Sequence, residues 1–242
     1  MTQPSLDIHD RTPERVLAVV AHPDDLEYGA AALVARWTAA GTDVTYLLAS
    51  RGEAGIDGMS PQDCARVRTQ EQLASARVVG VSTVEFLDHP DGTIEYGLPL
   101  RRDLAAAVRR HRPTTLLLLN HRETWAPGRL NSPDHRHVGQ AALEAVGDAA
   151  NRWVFPDAGD GAEPWSGVEE ALVCGSPLAT HAADVTGTVD AAVASLAEHR
   201  AYLDGLGDHP MADPEWLRAA LAAAGRQAHG LGAAVSFELF SF

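Results

Sequence analysis

Apolar residues in this chain fall into short uninterrupted runs separated by longer stretches of helical period. The run 16–20 (Val-Leu-Ala-Val-Val) reads as a buried strand. It is followed by "EYGAAALVARWTAAG" (27–41), an Ala-rich helix closed by a glycine. "DVTYLLAS" (43–50) predicts a second strand, "DCARVRTQEQLASARVVG" (63–80) a helix, and "TVEFLD" (83–88) a third strand. A helix over 98–111 stops ahead of Pro113, and "TTLLLLN" (114–120) is a fourth buried strand. Pro133 and Asp134 suit a helix start, which places a helix over 133–152. Beyond the Gly/Pro/acid-rich loop 155–167, "VEEALVCG" and "THAADVT" predict strands, 189–206 and 214–229 helices, and "AVSFELF" (234–240) a last strand.

Strands that alternate with helices imply an α/β, Rossmann-like fold: a mainly parallel sheet with helices on both faces. No repeat or linker divides the 242 residues, so a single domain over 1–242 is expected. In such sheets the site lies at the carboxyl ends of the strands. That rim is where this chain places its chemistry. The first strand ends in Ala21-His22-Pro23-Asp24-Asp25, the fourth in Asn120-His121, and Asp134 and His135 follow a short loop later.

Two histidines and a carboxylate can hold a divalent ion with a position left for water. Adjacent acids in a turn point different ways, so one can ligate and the other face the water. Either acid alone could instead cap the next helix, which leaves His22 and the second acid unexplained. His135 and His137 lie about 200° apart around a helix, so at most one joins the site, and His135 is nearer the loop. "LDHPDG" (87–92) repeats His-Pro-Asp without the second acid. It reads as a shaped loop whose acids, Asp88 and Asp91, hold substrate, with His89 the lesser candidate for a ligand.

Composition narrows the partners. A formal net charge of −14 argues against nucleic-acid or anionic-membrane binding. All 19 basic residues are arginine, which excludes a Schiff-base or P-loop lysine. Cys64 and Cys174 form no CxxC pair and are expected as reduced thiols. The opening "MTQPSLDIHDRTPER" lacks a charged-then-apolar leader pattern and no apolar run is long enough to span a membrane, so a cytoplasmic location is expected.

Taken together in chain order, "AHPDD", "SRGEAG" (50–55), "DHPDG" and "PDHRHVG" resemble the PIG-L/LmbE-like deacetylases over residues 15 to about 150. That family includes the N-acetylglucosaminyl-phosphatidylinositol and the mycothiol- and bacillithiol-pathway enzymes. The resemblance implies a metal-dependent hydrolase, usually with zinc though Fe2+ or another divalent ion also serves, that removes acyl groups from amines of small-molecule N-acetyl sugar conjugates. Carried over by position, it makes His22, Asp25 and His135 the metal ligands and Asp24 the general base. Glu53 and Arg68 match positions near the substrate, and Arg51, beside Glu53 in the same loop, is expected on the substrate side together with Asp88 and Asp91. Many members carry a histidine where this chain has Ser132. His121 is then the natural substitute as acid or oxyanion donor, and Trp125 is placed to stack on a sugar face.

Other readings compete. A two-His-one-carboxylate set also suits non-haem Fe(II) enzymes, but these give no reason for the second acid. A dinucleotide-binding protein would need GxGxxG after the first strand, which is absent. A non-catalytic carbohydrate- or metal-binding relative is the further alternative, and a homo-oligomer is compatible with all of these readings.

Overall fold

The computed structural model describes residues 6–159 and 161–242. Residues 1–5, at the start of the opening stretch read above, and Asp160, within the loop 155–167, lie outside the described residues. The chain opens with β1 (Asp7–Ile8) and β2 (Arg15–Val20), then α1 (Asp25–Gly29), α2 (Ala31–Ala39) and β3 (Asp43–Leu48). There follow α3 (Pro61–Val78), β4 (Thr83–Phe86), α4 (Leu98–His111) and β5 (Thr115–Leu119). A small hairpin, β6 (Thr124–Ala126) and β7 (Arg129–Leu130), precedes α5 (Pro133–Ala150). The last third holds β8 (Glu170–Cys174), β9 (His181–Asp184), α6 (Val189–Leu196), α7 (Arg200–Gly205), α8 (Glu215–Gln227) and β10 (Ala234–Ser241).

Eight strands form one sheet in the order β1-β9-β10-β8-β5-β2-β3-β4. β2 pairs in parallel with β3 and β5, and parallel pairing continues from β3 to β4 and from β5 to β8. Only β10 runs against its neighbours β8 and β9. The strands read as continuous apolar runs because both faces are covered. Val16, Ala18 and Val20 of β2 point into the core beneath α2, α6 and α8, while Leu17 and Val19 point into the core beneath α4 and α5.

Two expected helices are broken. The helix expected over 27–41 begins earlier, at Asp25, and is interrupted at Ala30 (φ −147°). The helix expected over 189–206 ends at Leu196 and restarts at Arg200. That second break turns His199, fully buried, toward Glu27 on α1.

Candidate metal centre

The turn after β2 holds a strained residue. Asp24 sits in the left-handed region (φ 76°) with no side-chain cap on α1, a conformation costing a non-glycine residue about 1–3 kcal/mol. The capping alternative for Asp24 therefore fails. Asp25 ties the turn from within: its Oδ2 accepts from the backbone amides of Ala21 (3.1 Å) and His22 (2.9 Å).

The tautomers of the two histidines follow from their partners. Asn131 donates through Nδ2 to the carbonyls of Asn120 (2.6 Å) and Arg122 (3.0 Å), so its Oδ1 faces the other way and accepts from the Ser132 amide (2.8 Å) and from His135 Nδ1 (2.9 Å). His135 Nε2 then carries a lone pair, and it lies 3.0 Å from Asp25 Oδ1. His22 Nε2 faces Asp91 Oδ1 (3.1 Å) and Asp134 Oδ2 (3.2 Å), both carboxylates, which leaves Nδ1 as the lone pair, 3.6 Å from Asp25 Oδ2. Two lone-pair atoms at such distances from a carboxylate repel unless a proton or cation lies between them. One ligand atom from each of His22, Asp25 and His135 lies within 4.8 Å of the others. The donor set fits a divalent ion, with carboxylates orienting His22 and an amide orienting His135 from behind.

A second group, His22 with Asp91 and Asp134, is equally compact. Its acids are already engaged: Asp134 accepts from the amides of Gly92 (2.7 Å) and Ile94 (3.2 Å), and Asp91 from that of Ala54 (2.8 Å). These two hold His22 rather than an ion.

Electrostatics separate the adjacent acids. Burial alone would raise both. With protons, rather than an ion, between Asp25 and its two histidines, the charge and bonds of His135 and His22 outweigh burial and hold the Asp25 carboxyl far below the usual range. For Asp24 burial prevails over the opposing charge of Arg68, and with the Asp25 charge beside it the carboxyl is pushed up to about 6. Arg68, itself buried, bonds the Asp24 carboxylate and also donates to the carbonyls of Pro23 (2.7 Å) and Gly52 (3.1 Å). Its guanidinium stacks on Tyr202 at 4.5 Å.

The remaining expected residues divide. Trp125 lines a cavity beside the triad, its ring 5.7 Å from that of His135. Glu53 accepts from the Asp91 backbone amide (2.9 Å) and so fixes the backbone of the residue whose carboxylate contacts His22. Arg51 and Asp88 pair at 3.3 Å, more exposed, in the wall of a separate polar cavity. His89 binds Asp103 (3.0 Å), and His137 donates to the Ile94 carbonyl (2.6 Å); neither belongs to the triad.

His121 is not brought to the site. It packs against Phe240 and Gly139, outside the cavity walls, where burial and Arg122 lower its pKa. Ser132 caps α5, accepting from the Asp134 amide at 3.2 Å.

Several contributors escaped the sequence reading. Gln72, on α3, accepts from the Asp24 amide (3.0 Å) and donates to Glu27 Oε1 (2.9 Å). Glu27, wholly buried, also receives Ser75 and lies 3.4 Å from His199 Nε2. Asn131 precedes His135 by four positions, a spacing that could have flagged it.

A family model described as GlcNAc-PI de-N-acetylase (PIG-L) matches residues 17–146. Over 135 residues, 55% of this chain and 49% of the relative, the chain is 34% identical to a diacetylchitobiose deacetylase of Thermococcus kodakarensis. It is 30% identical to a 1D-myo-inositol 2-acetamido-2-deoxy-alpha-D-glucopyranoside deacetylase of Kineococcus radiotolerans, covering 82% of this chain and 66% of that one. The chain thus spans about half to two thirds of the length of these relatives. Among solved structures, N,N'-diacetylchitobiose deacetylase from Pyrococcus horikoshii superposes with a TM-score of 0.84 at 22% identity, covering 95% of this chain and 84% of that one. A 4-carboxy-2-hydroxymuconate hydratase from Pseudomonas putida superposes at 0.73 and 19% identity, covering 93% and 95%. The fold is common to enzymes with different reactions, so it does not by itself fix the chemistry.

Proposed function

The chain belongs to the GlcNAc-PI de-N-acetylase (PIG-L) family, and on that premise we propose that it is a metal-dependent N-deacylase acting on the amine of an N-acylated sugar or sugar conjugate. The observation that carries this reading is the convergence of His22, Asp25 and His135 beside a second buried acid, Asp24. The relatives named above support the substrate class.

His22 Nδ1, Asp25 and His135 Nε2 would hold Zn2+ or another divalent ion. Such an ion, when bound, lowers the pKa of a coordinated water toward ~7 and polarises the amide carbonyl. Asp24 takes the proton from the attacking water. Burial raises that carboxyl above its ordinary value, the direction that makes a carboxylate a stronger base. With His121 outside the site and Ser132 occupied as a cap, Asp24 is also the group that returns the proton to the departing amine. The C–N bond breaks, water's oxygen stays on the acyl carbon, and carboxylate and amine leave. Arg68 keeps the Asp24 carboxylate in place through two further backbone bonds.

The test is metal content by elemental analysis together with amine release from N-acetylglucosamine conjugates. Stoichiometric divalent metal with release supports the reading; folded protein that takes up no metal overturns it.

A further inference from the structure

The sheet order sets the triad between two cavities, one of mixed lining and one more apolar. On the β3–β4 side lies the more polar cavity, about 290 Å3, where Arg51, Glu53, Asp88 and His89 share the walls with Pro61, Ala65 and Leu87. It adjoins the centre through Glu53, which binds the amide of Asp91, the residue that contacts His22. On the β5–β8–β10 side lies a cavity of about 450 Å3. It begins at Asp24, Asp25 and His135 and continues between Trp125, Leu119, Val235 and the face of α8.

That face is apolar by design of its spacing. Leu217, Ala220, Leu221 and Ala224 stand at i, i+3, i+4 and i+7 and all line the cavity. Trp216 and Met211 also line the cavity, and the Tyr28 hydroxyl is already spent on the Met211 carbonyl at 2.6 Å. Gly175 adds to the fit: a Cβ there would come within 3.0 Å of the Trp125 ring. Past the carboxylate end, the polar groups in the lining are those of Arg129, Ser236, Tyr202 and the indoles of Trp125 and Trp216, none of them on the α8 face formed by Leu217, Ala220, Leu221 and Ala224. A sugar hydroxyl laid along that face would lose water without gaining a partner.

An amide carbonyl has two substituents, an acyl chain and an amine. Resting on the deacylase reading, we propose that the sugar amine lies toward the polar cavity and the acyl chain enters the apolar one. The acyl group removed is accordingly longer than acetyl. An acetyl methyl is about the size of a water molecule, roughly 30 Å3, and leaves most of the larger cavity unfilled, whereas 450 Å3 matches a mid-sized ligand.

The experiment measures kcat/KM for N-acetyl-, N-butyryl- and N-hexanoyl-glucosamine with the metal-loaded protein. Burial of each methylene is worth about fourfold, so N-hexanoyl should exceed N-acetyl by on the order of a hundredfold. Ala220→Phe, which narrows the chain's path, should shrink that ratio at least tenfold. A flat or falling series overturns the acyl assignment and leaves the deacylase reading intact. A comparable gain on octyl N-acetylglucosaminide instead places the aglycone in this cavity and also overturns it. Release from none of the substrates overturns both.

Discussion

The backbone amide of Asp24 donates to Gln72 Oε1 at 3.0 Å, while Gln72 Nε2 donates to Glu27 Oε1 at 2.9 Å. One buried side chain on α3 therefore fixes the residue proposed as base in a left-handed conformation it would not choose alone. The strain of the turn is held by a helix about fifty positions away in sequence.

Removing that support should damage rate more than binding. Gln72→Leu, nearly the same volume, leaves the Asp24 amide unpaired and the carboxylate free to shift. A displacement of about 1 Å in a catalytic group costs up to about a hundredfold. The expected outcome is a fall in kcat of that order with metal content and KM little changed, read by steady-state kinetics and elemental analysis.

The orientation of His22 depends on Asp134. Loss of a carboxylate behind a metal-binding histidine typically weakens the metal by about 10–100-fold. Asp134→Asn should do so here, measured by competition with a chromophoric chelator. Asp91→Asn should act in the same direction, since Asp91 shares the same ring nitrogen.

The buried Glu27–His199 pair gives the fold a pH window. Burial opposes both charges, yet the charge of His199, with bonds from Ser75 and Gln72, brings Glu27 below its ordinary 4.5. Likewise the Glu27 charge carries His199 above its ordinary 6.5. A lowered acid stabilises above its unfolded value and loses this as pH falls through its folded one. A raised histidine stabilises below its unfolded value and loses this as pH rises through its folded one. Both contributions are complete between pH 4.5 and 6.5. Urea unfolding of chelator-treated protein should show the pair's contribution greatest in that window, relative to the Glu27→Leu/His199→Leu double variant. His199→Leu alone, which strands Glu27, should cost about 3–5 kcal/mol.

His121 is expected to matter little. It lies against Phe240 rather than in the cavity wall. His121→Ala should change kcat/KM by less than about tenfold, whereas a general acid at that position would show a loss of several hundredfold or more.

The fold was legible where the chain states its own period. Uninterrupted apolar runs marked β2, β3, β5 and β8 because a doubly covered strand has no polar face. The hairpin β6–β7 and the two-residue β1 were not, being too short to carry a period. The breaks at Ala30 and before His199 escaped because both neighbouring stretches are good helix formers; tertiary contact decides them. Within the site, the residues brought together were those in motifs next to strand ends. His121, also next to a strand end, shows that position along the chain does not give direction. Gln72, Glu27 and His199 sit in ordinary helical surroundings and find one another only across 45 positions or more, which no local pattern reveals. The apolar face of α8 was readable as amphipathic, but not what it faces.

The proposed activity turns on a metal centre at His22, Asp25 and His135 with Asp24 acting beside it. The most direct test measures bound metal and amine release from an N-acyl-glucosamine for the wild type, Asp24→Ala and His135→Ala in parallel. Stoichiometric metal and activity are expected in the wild type, metal without activity in Asp24→Ala, and loss of both in His135→Ala. Activity retained in Asp24→Ala, or full metal occupancy in a folded His135→Ala protein, would contradict this assignment.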